Sequence, residues 1–104
     1  MRLDNKVAIV TGGGRGFGRS VALLFGKEGA KVVLAARTRE EVERVATEMR
    51  ALRREALAVA ADVSQEGQVQ QMVRKALEAY GTVDILVNNA GIRGPIAPLH
   101  EVSP

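Results

Sequence analysis

The stretch that decides the fold is "AIVTGGGRGFGRSVALLF", residues 8–25. An apolar, β-branched run over residues 6–11 ends in Thr11, and five glycines (Gly12, Gly13, Gly14, Gly16 and Gly18) then fall within seven positions. Such a run suits a strand buried on both faces of a parallel sheet. After the glycines, Phe17, Val21, Leu24 and Phe25 recur at helical spacing, and Gly29 stands where a helix C′ glycine belongs. Glycine has a physical use at this junction. A helix N-terminus presents unpaired N–H groups and a positive dipole end, so phosphate is its natural ligand wherever backbone can come close. Gly12 lets the chain turn sharply off the strand. Gly16 and Gly18 allow a diphosphate to touch main chain and the helix to pack closely on the sheet.

Two phosphate-binding patterns compete for these residues. Gly13, Gly18, Arg19 and Ser20 read GxxxxGRS, one residue away from the P-loop GxxxxGK[ST], but the changed residue is the essential lysine. Arginine is bulkier and is not the same compact point charge. Thr11-Gly12-x-x-x-Gly16-x-Gly18 fits the other pattern without substitution, although its spacing departs from the GxGxxG of many dinucleotide-binding proteins.

Outward from this stretch the same alternation continues. Residues 31–36 (KVVLAA) form a second buried strand. "TREE" at 38–41 reads as a capping box, Thr38 with Glu41, opening a helix whose stripe is Val42, Val45, Ala46, Met49 and Leu52. Residues 55–63 form a third strand. Ser64 is a candidate cap for a helix whose inner face is Val69, Met72, Val73, Ala76, Leu77 and Tyr80, and Gly81 ends it. Residues 83–91 form the fourth strand, and residues 92–104 carry all three prolines and no periodicity, the marks of a loop. The order β-α-β-α-β-α-β demands a parallel sheet with right-handed crossovers, half of a Rossmann-type doubly wound α/β fold, with expected strand order 3-2-1-4. The 104 residues form one partial dinucleotide-binding domain with no internal boundary.

Composition narrows the function class. Apolar residues make up 46% and charged residues 26%, as in ordinary soluble domains. There is no cysteine and one histidine, His100, so disulfides and thiolate metal sites are excluded and no metal site is expected. No window reaches the ~20 apolar residues of a membrane span. The opening "MRLDNKVAIV" runs straight into a strand pattern without an apolar leader, which points to the cytoplasm. The net charge of +3 is scattered, and one tyrosine and two phenylalanines offer few stacking platforms, which argues against a nucleic-acid partner.

Three motifs in order, TGxxxGxG after the first strand, Asp62-Val63 after the third and Asn88-Asn89-Ala90-Gly91 after the fourth, resemble the short-chain dehydrogenase/reductase family. The resemblance runs from about Asn5 to the end of the chain. It implies a cofactor site in which Gly12, Gly14, Arg15, Gly16, Phe17 and Gly18 hold the pyrophosphate. Asp62 would hydrogen-bond the adenine with the Val63 backbone beside it. Asn88, Asn89, Ala90 and Gly91 would brace the sheet and approach the cofactor ribose. The residues have other uses as well: Asp62 suits a helix N-terminal acid or cap, and the two asparagines suit turns.

In this fold an acidic residue at the end of the second strand binds the ribose 2′-OH of NAD, while an arginine accommodates the 2′-phosphate of NADP. Here that strand ends Ala35-Ala36-Arg37. With no acid there and a guanidinium fork at Arg37, NADP is the expected cofactor over NAD, with Arg15 resembling the basic residue of NADP-preferring relatives. As solvated surface arginines, both would need no ligand.

The resemblance also implies what is missing. The family's catalytic Ser, Tyr, Lys four residues after the Tyr, and a further Asn have no counterpart here: Tyr80 is followed by Asp84 and falls on an apolar stripe. Gly14 stands where a hydroxyl residue is common, so one side-chain contact to phosphate is absent. The chain reads as the N-terminal, NADP(H)-binding part of a reductase that interconverts a carbonyl and an alcohol by hydride transfer, of the 3-oxoacyl reductase type. The complete protein would be a homo-oligomer acting on a small carbonyl or alcohol substrate, and this portion alone would be inactive. The other class of reading is a stand-alone, non-catalytic nucleotide-binding or interaction module. Either way the fourth strand would be an open hydrophobic edge, favouring association or partial disorder.

Overall fold

Strand and helix follow one another as the apolar pattern changes period. The computed structural model describes residues 3–12, 16–62, 65–88 and 100–101. Its elements are β1 (Val7–Thr11), α1 (Gly16–Lys27), β2 (Lys31–Ala36), α2 (Arg39–Ala51), β3 (Ala56–Ala60), α3 (Glu66–Tyr80), β4 (Ile85–Val87) and β5 (His100–Glu101). The sheet order is β3-β2-β1-β4-β5, with β1 to β4 all parallel, so the expected 3-2-1-4 arrangement of a Rossmann-type fold is the observed one. Register places Thr11 opposite Ala35, Ala36 opposite Ala60, and Val10 opposite Val87.

Side-chain alternation along β1 and β2 feeds two cores. Ala8, Val10, Val32 and Leu34 face Ala22 of α1 and Val42, Val45, Ala46 and Met49 of α2. Ile9, Val33 and Ala35 face Met72 and Ala76 of α3 on the other side. Both faces of the central strands are therefore dry, which is why they read as continuous apolar runs.

The structure corrects several local expectations. Leu24, Leu52 and Leu77, each assigned to an inner stripe, are 54%, 54% and 45% exposed. In α1 the buried positions are the small residues Gly18, Ala22 and Gly26, four apart, which bring the helix close to its neighbours. A Cβ on Gly26 would lie 2.6 Å from the Met49 terminal methyl. Thr38 is the N-cap of α2 with extended backbone, but its side chain makes no capping bond, and the Glu41 amide reaches the Thr38 carbonyl at 3.2 Å instead. The N-cap of α3 is Gln65, while Ser64 lies outside the described residues. The two helix ends do follow the glycines. Gly29 has φ +98°, with its amide on the Gly26 carbonyl and that of Ala30 on the Phe25 carbonyl; Gly81, φ +83°, caps α3.

Among the described residues the third and fourth strands pair over Ala56–Ala60 and Ile85–Val87, within the expected 55–63 and 83–91, of which 63 and 89–91 lie outside the described residues. Within the stretch expected to be loop, His100–Glu101 pairs antiparallel with Leu86 and Ile85. The outer edge of β4, expected to be open, is thus covered at those two residues.

Candidate cofactor-binding site

Parallel strands bring their carboxyl ends to one edge, and the residues following them gather there in sheet order: Asp62 after β3, Arg37 after β2, Gly12 after β1 and Asn88 after β4. Ladder bonds run past the strand ends to hold this rim. The Gly12 amide donates to the Ala35 carbonyl at 2.7 Å and the Ala61 amide to the Ala36 carbonyl at 2.8 Å. From β1 the chain winds through α1 toward β2, whereas β4 arrives on the opposite flank with α3 on the opposite face. The reversal lies between β1 and β4, where open α/β sheets form their crevice.

The loop between β1 and α1 starts and ends with left-handed glycines, Gly12 at φ +69° and Gly16 at φ +45°. A Cβ on Gly16 would meet nothing within 4 Å, so the backbone there is uncrowded on that side. The first turn of α1 holds no acidic residue, whereas that of α2 holds Glu40 and Glu41. The α1 N-terminus thus keeps its positive end uncompensated by its own side chains, as an anion site requires.

Thr11, fully buried, links this loop to β4. Its hydroxyl lies 3.2 Å from both the Val87 carbonyl and the Asn88 side-chain oxygen, and its single proton serves the two acceptors in turn. Arg19, which stands at the lysine position of the P-loop pattern, turns toward α2 instead, with one guanidinium nitrogen 2.6 and 2.9 Å from the two Glu48 carboxylate oxygens. Arg37 is exposed and makes no ion pair among the described residues. Asp62 is tied by its backbone to the start of α3: its amide donates to the Gln68 side-chain oxygen at 2.5 Å, and its carbonyl accepts from the Gln65 amide at 3.0 Å.

Of the residues the sequence singles out, the structure brings Gly12, Gly16, Gly18, Arg37, Asp62 and Asn88 to the one rim, with Phe17 in the first turn of α1. Gly14, Arg15, Val63, Asn89, Ala90 and Gly91 lie outside the described residues. Sequence reasoning misses the tasks of Thr11 and Gln68. Thr11 could have been flagged as the polar end of an otherwise apolar strand. Gln68 carries no such signal. Among the described residues there is no cluster of metal-ligating side chains, and no helix is long and apolar enough to cross a membrane.

Tyr80 is remote from this rim. It packs against the α3-side core near the opposite edge, with the Lys31 amine 5.6 Å from its ring centre. Burial raises its pKa above the ordinary 10.0, the Glu55 carboxylate adds to the rise, and Arg50 opposes it.

Against known families, residues 6–104 match the model of the short chain dehydrogenases. The chain belongs to this family. Among relatives of this short chain dehydrogenase sequence, an uncharacterized oxidoreductase of Mycobacterium tuberculosis is 48% identical over 90 residues, 86% of this chain and 34% of the relative. The meso-2,3-butanediol dehydrogenase of Serratia marcescens is 45% identical over 92 residues, 88% of this chain and 36% of the relative. Among solved structures, 3-ketoacyl-(acyl-carrier-protein) reductase from Brucella melitensis complexed with NADH superimposes with a TM-score of 0.79 at 52% identity, over 86% of this chain and 36% of that one. The short chain dehydrogenase segment described here therefore spans about a third of the length of its curated relatives.

Proposed function

We propose that this chain is the NADP(H)-binding portion of a short chain dehydrogenase that interconverts a carbonyl and an alcohol, of the 3-ketoacyl reductase type. The observation that carries this reading is the rim itself: an uncompensated helix N-terminus behind a glycine loop, flanked in sheet order by Arg37, Asp62 and Asn88. Main-chain amides between Gly12 and Gly18, with Gly14, Arg15 and Phe17, would receive the diphosphate. The uncrowded backbone at Gly16 suits the approach of that group. Asp62, with Val63 beside it, accepts from the adenine amine, and Asn88, Asn89, Ala90 and Gly91 stand toward the ribose. Arg37 takes the 2′-phosphate that distinguishes NADP from NAD. When bound, the nicotinamide supplies the hydride. This chain's own part is to hold and orient the coenzyme, and by itself it does not turn over substrate, since the one tyrosine is half-buried against the core at the other end of the sheet. The complete protein is a cytoplasmic homo-oligomer acting on a small carbonyl or alcohol.

The test is a fluorescence titration of the chain with NADPH and with NADH, repeated on Arg37→Ala. The expected result is tighter binding of NADPH, and a loss of about tenfold or more in the variant, the size of a charge-assisted contact, with NADH unaffected. Preference for NADH in the wild type would overturn the arginine argument.

A further inference from the structure

Strand β2 ends at Ala36, and the last ladder bond on that side runs from the Ala61 amide to the Ala36 carbonyl at 2.8 Å. Asp62 is the next residue, and the ladder no longer holds it. Its amide instead donates to the Gln68 side-chain oxygen at 2.5 Å, and its carbonyl accepts from the Gln65 amide at 3.0 Å. Both main-chain polar groups of Asp62 thus go to the first turn of α3. That turn is itself fixed, because the Gln68 amide donates to the Gln65 carbonyl at 3.0 Å and the helix is seated by buried Met72 and Ala76. Gln68 is exposed, away from the inner face formed by Met72 and Ala76, so packing does not account for it. The group facing it is an N–H, which calls for an acceptor; lysine or arginine there would supply none.

We propose that Gln68 is a positioning residue for recognition of the adenine end of the dinucleotide, acting through the main chain of Asp62. The proposal rests on the reading of the site given above, in which the Asp62 carboxylate accepts from the adenine amine. A carboxylate selects adenine over hypoxanthine because adenine carries a donor where hypoxanthine carries an oxygen, and hydrogen-bond strength falls steeply with misplacement. Holding the Asp62 backbone on a helix end therefore fixes base selectivity, a property that general stability does not touch.

The experiment measures the affinities of NADPH and of its deamino analogue, with hypoxanthine in place of adenine, for the wild type, Gln68→Ala and Gln68→Glu. The wild type is expected to favour the adenine form. Gln68→Ala should weaken NADPH about fivefold, the size of one lost hydrogen bond, and leave the deamino analogue unchanged, so that the preference shrinks. Gln68→Glu keeps an acceptor and should restore most of it, and it serves as the second variant should Gln68→Ala fold poorly by circular dichroism. An unchanged preference in Gln68→Ala, or failure of Gln68→Glu to restore a lost one, would overturn the role of Gln68 and leave the coenzyme site standing. A wild type that binds both forms equally would remove the Asp62 contact and this proposal with it, and a wild type that binds neither would overturn the coenzyme site itself.

Discussion

Tyr80 shows what a single phenol contributes when it is half-buried. Burial disfavours the phenolate, and the Glu55 carboxylate adds to this, so the pKa in the folded chain lies above 10.0. An unfolded chain releases the proton near that ordinary value. Between the two the native state holds a proton that the unfolded state has lost, so the contribution is complete below about pH 10 and is lost as pH rises through the folded value. Urea midpoints measured from neutral pH into the alkaline range should fall more steeply for the wild type than for Tyr80→Phe. Parallel curves would show that the phenol is not responsible. The apolar stripe of α3 makes it legible that Tyr80 turns toward the core, although the structure leaves it half-buried at the margin. Thr11 and Gln68 were not legible in the same way, since their partners, Val87, Asn88 and the Asp62 amide, are set by how strands and helix come together and not by any local pattern.

Among the elements, two glycines of opposite kind bear on α1, Gly26 inside it and Gly29 just past its end. Replacing Gly26 by alanine gains about 1 kcal/mol of helix propensity and pushes on the flexible end of Met49 and, at 3.2 Å, on the Arg54 side chain, so stability should change by less than about 1 kcal/mol. Gly26→Val adds branched bulk against the same contact and should destabilise by about 2 kcal/mol. Gly29→Ala is different, because it forces an L side chain into left-handed backbone, at about 1–2 kcal/mol, and its Cβ would also overlap the Asp4 carboxylate. Thermal unfolding of the three variants, with Gly29→Ala also placed in an Asp4→Ala background and compared with Asp4→Ala alone to separate the carboxylate overlap from the backbone cost, checks this order. Existence and type of the strands and helices were readable because each apolar run keeps its period. Each stripe takes in one leucine that is not covered, Leu24, Leu52 or Leu77, since periodicity marks a face but not how much of it the sheet covers. The Thr38 half of the expected box is not made, because the Thr38 carbonyl takes the Glu41 amide.

For the whole molecule, the parallel order was readable from strands alternating with helices, because right-handed crossovers leave few alternatives. Pairing of His100–Glu101 with β4 was not, because the segment has neither strand period nor apolar alternation. The pairing of β1 with β4 is fastened at both ends: Asp84 accepts the Val7 amide at 2.9 Å and returns its own amide to the Val7 carbonyl at 2.8 Å, while Thr11 reaches Val87 and Asn88. Asp84→Ala leaves a part-buried amide without its partner and should cost about 1–3 kcal/mol in urea unfolding, with Asp84→Asn, which keeps an acceptor, milder. These contacts join residues 76 and 77 positions apart. A ribosome adds about 5–20 residues per second, so one flank of the first strand waits several seconds for its neighbour to be made. In that interval a nascent chain can cover the faces of its first strand with helices already made, but the main-chain groups on one flank stay without a strand to pair with.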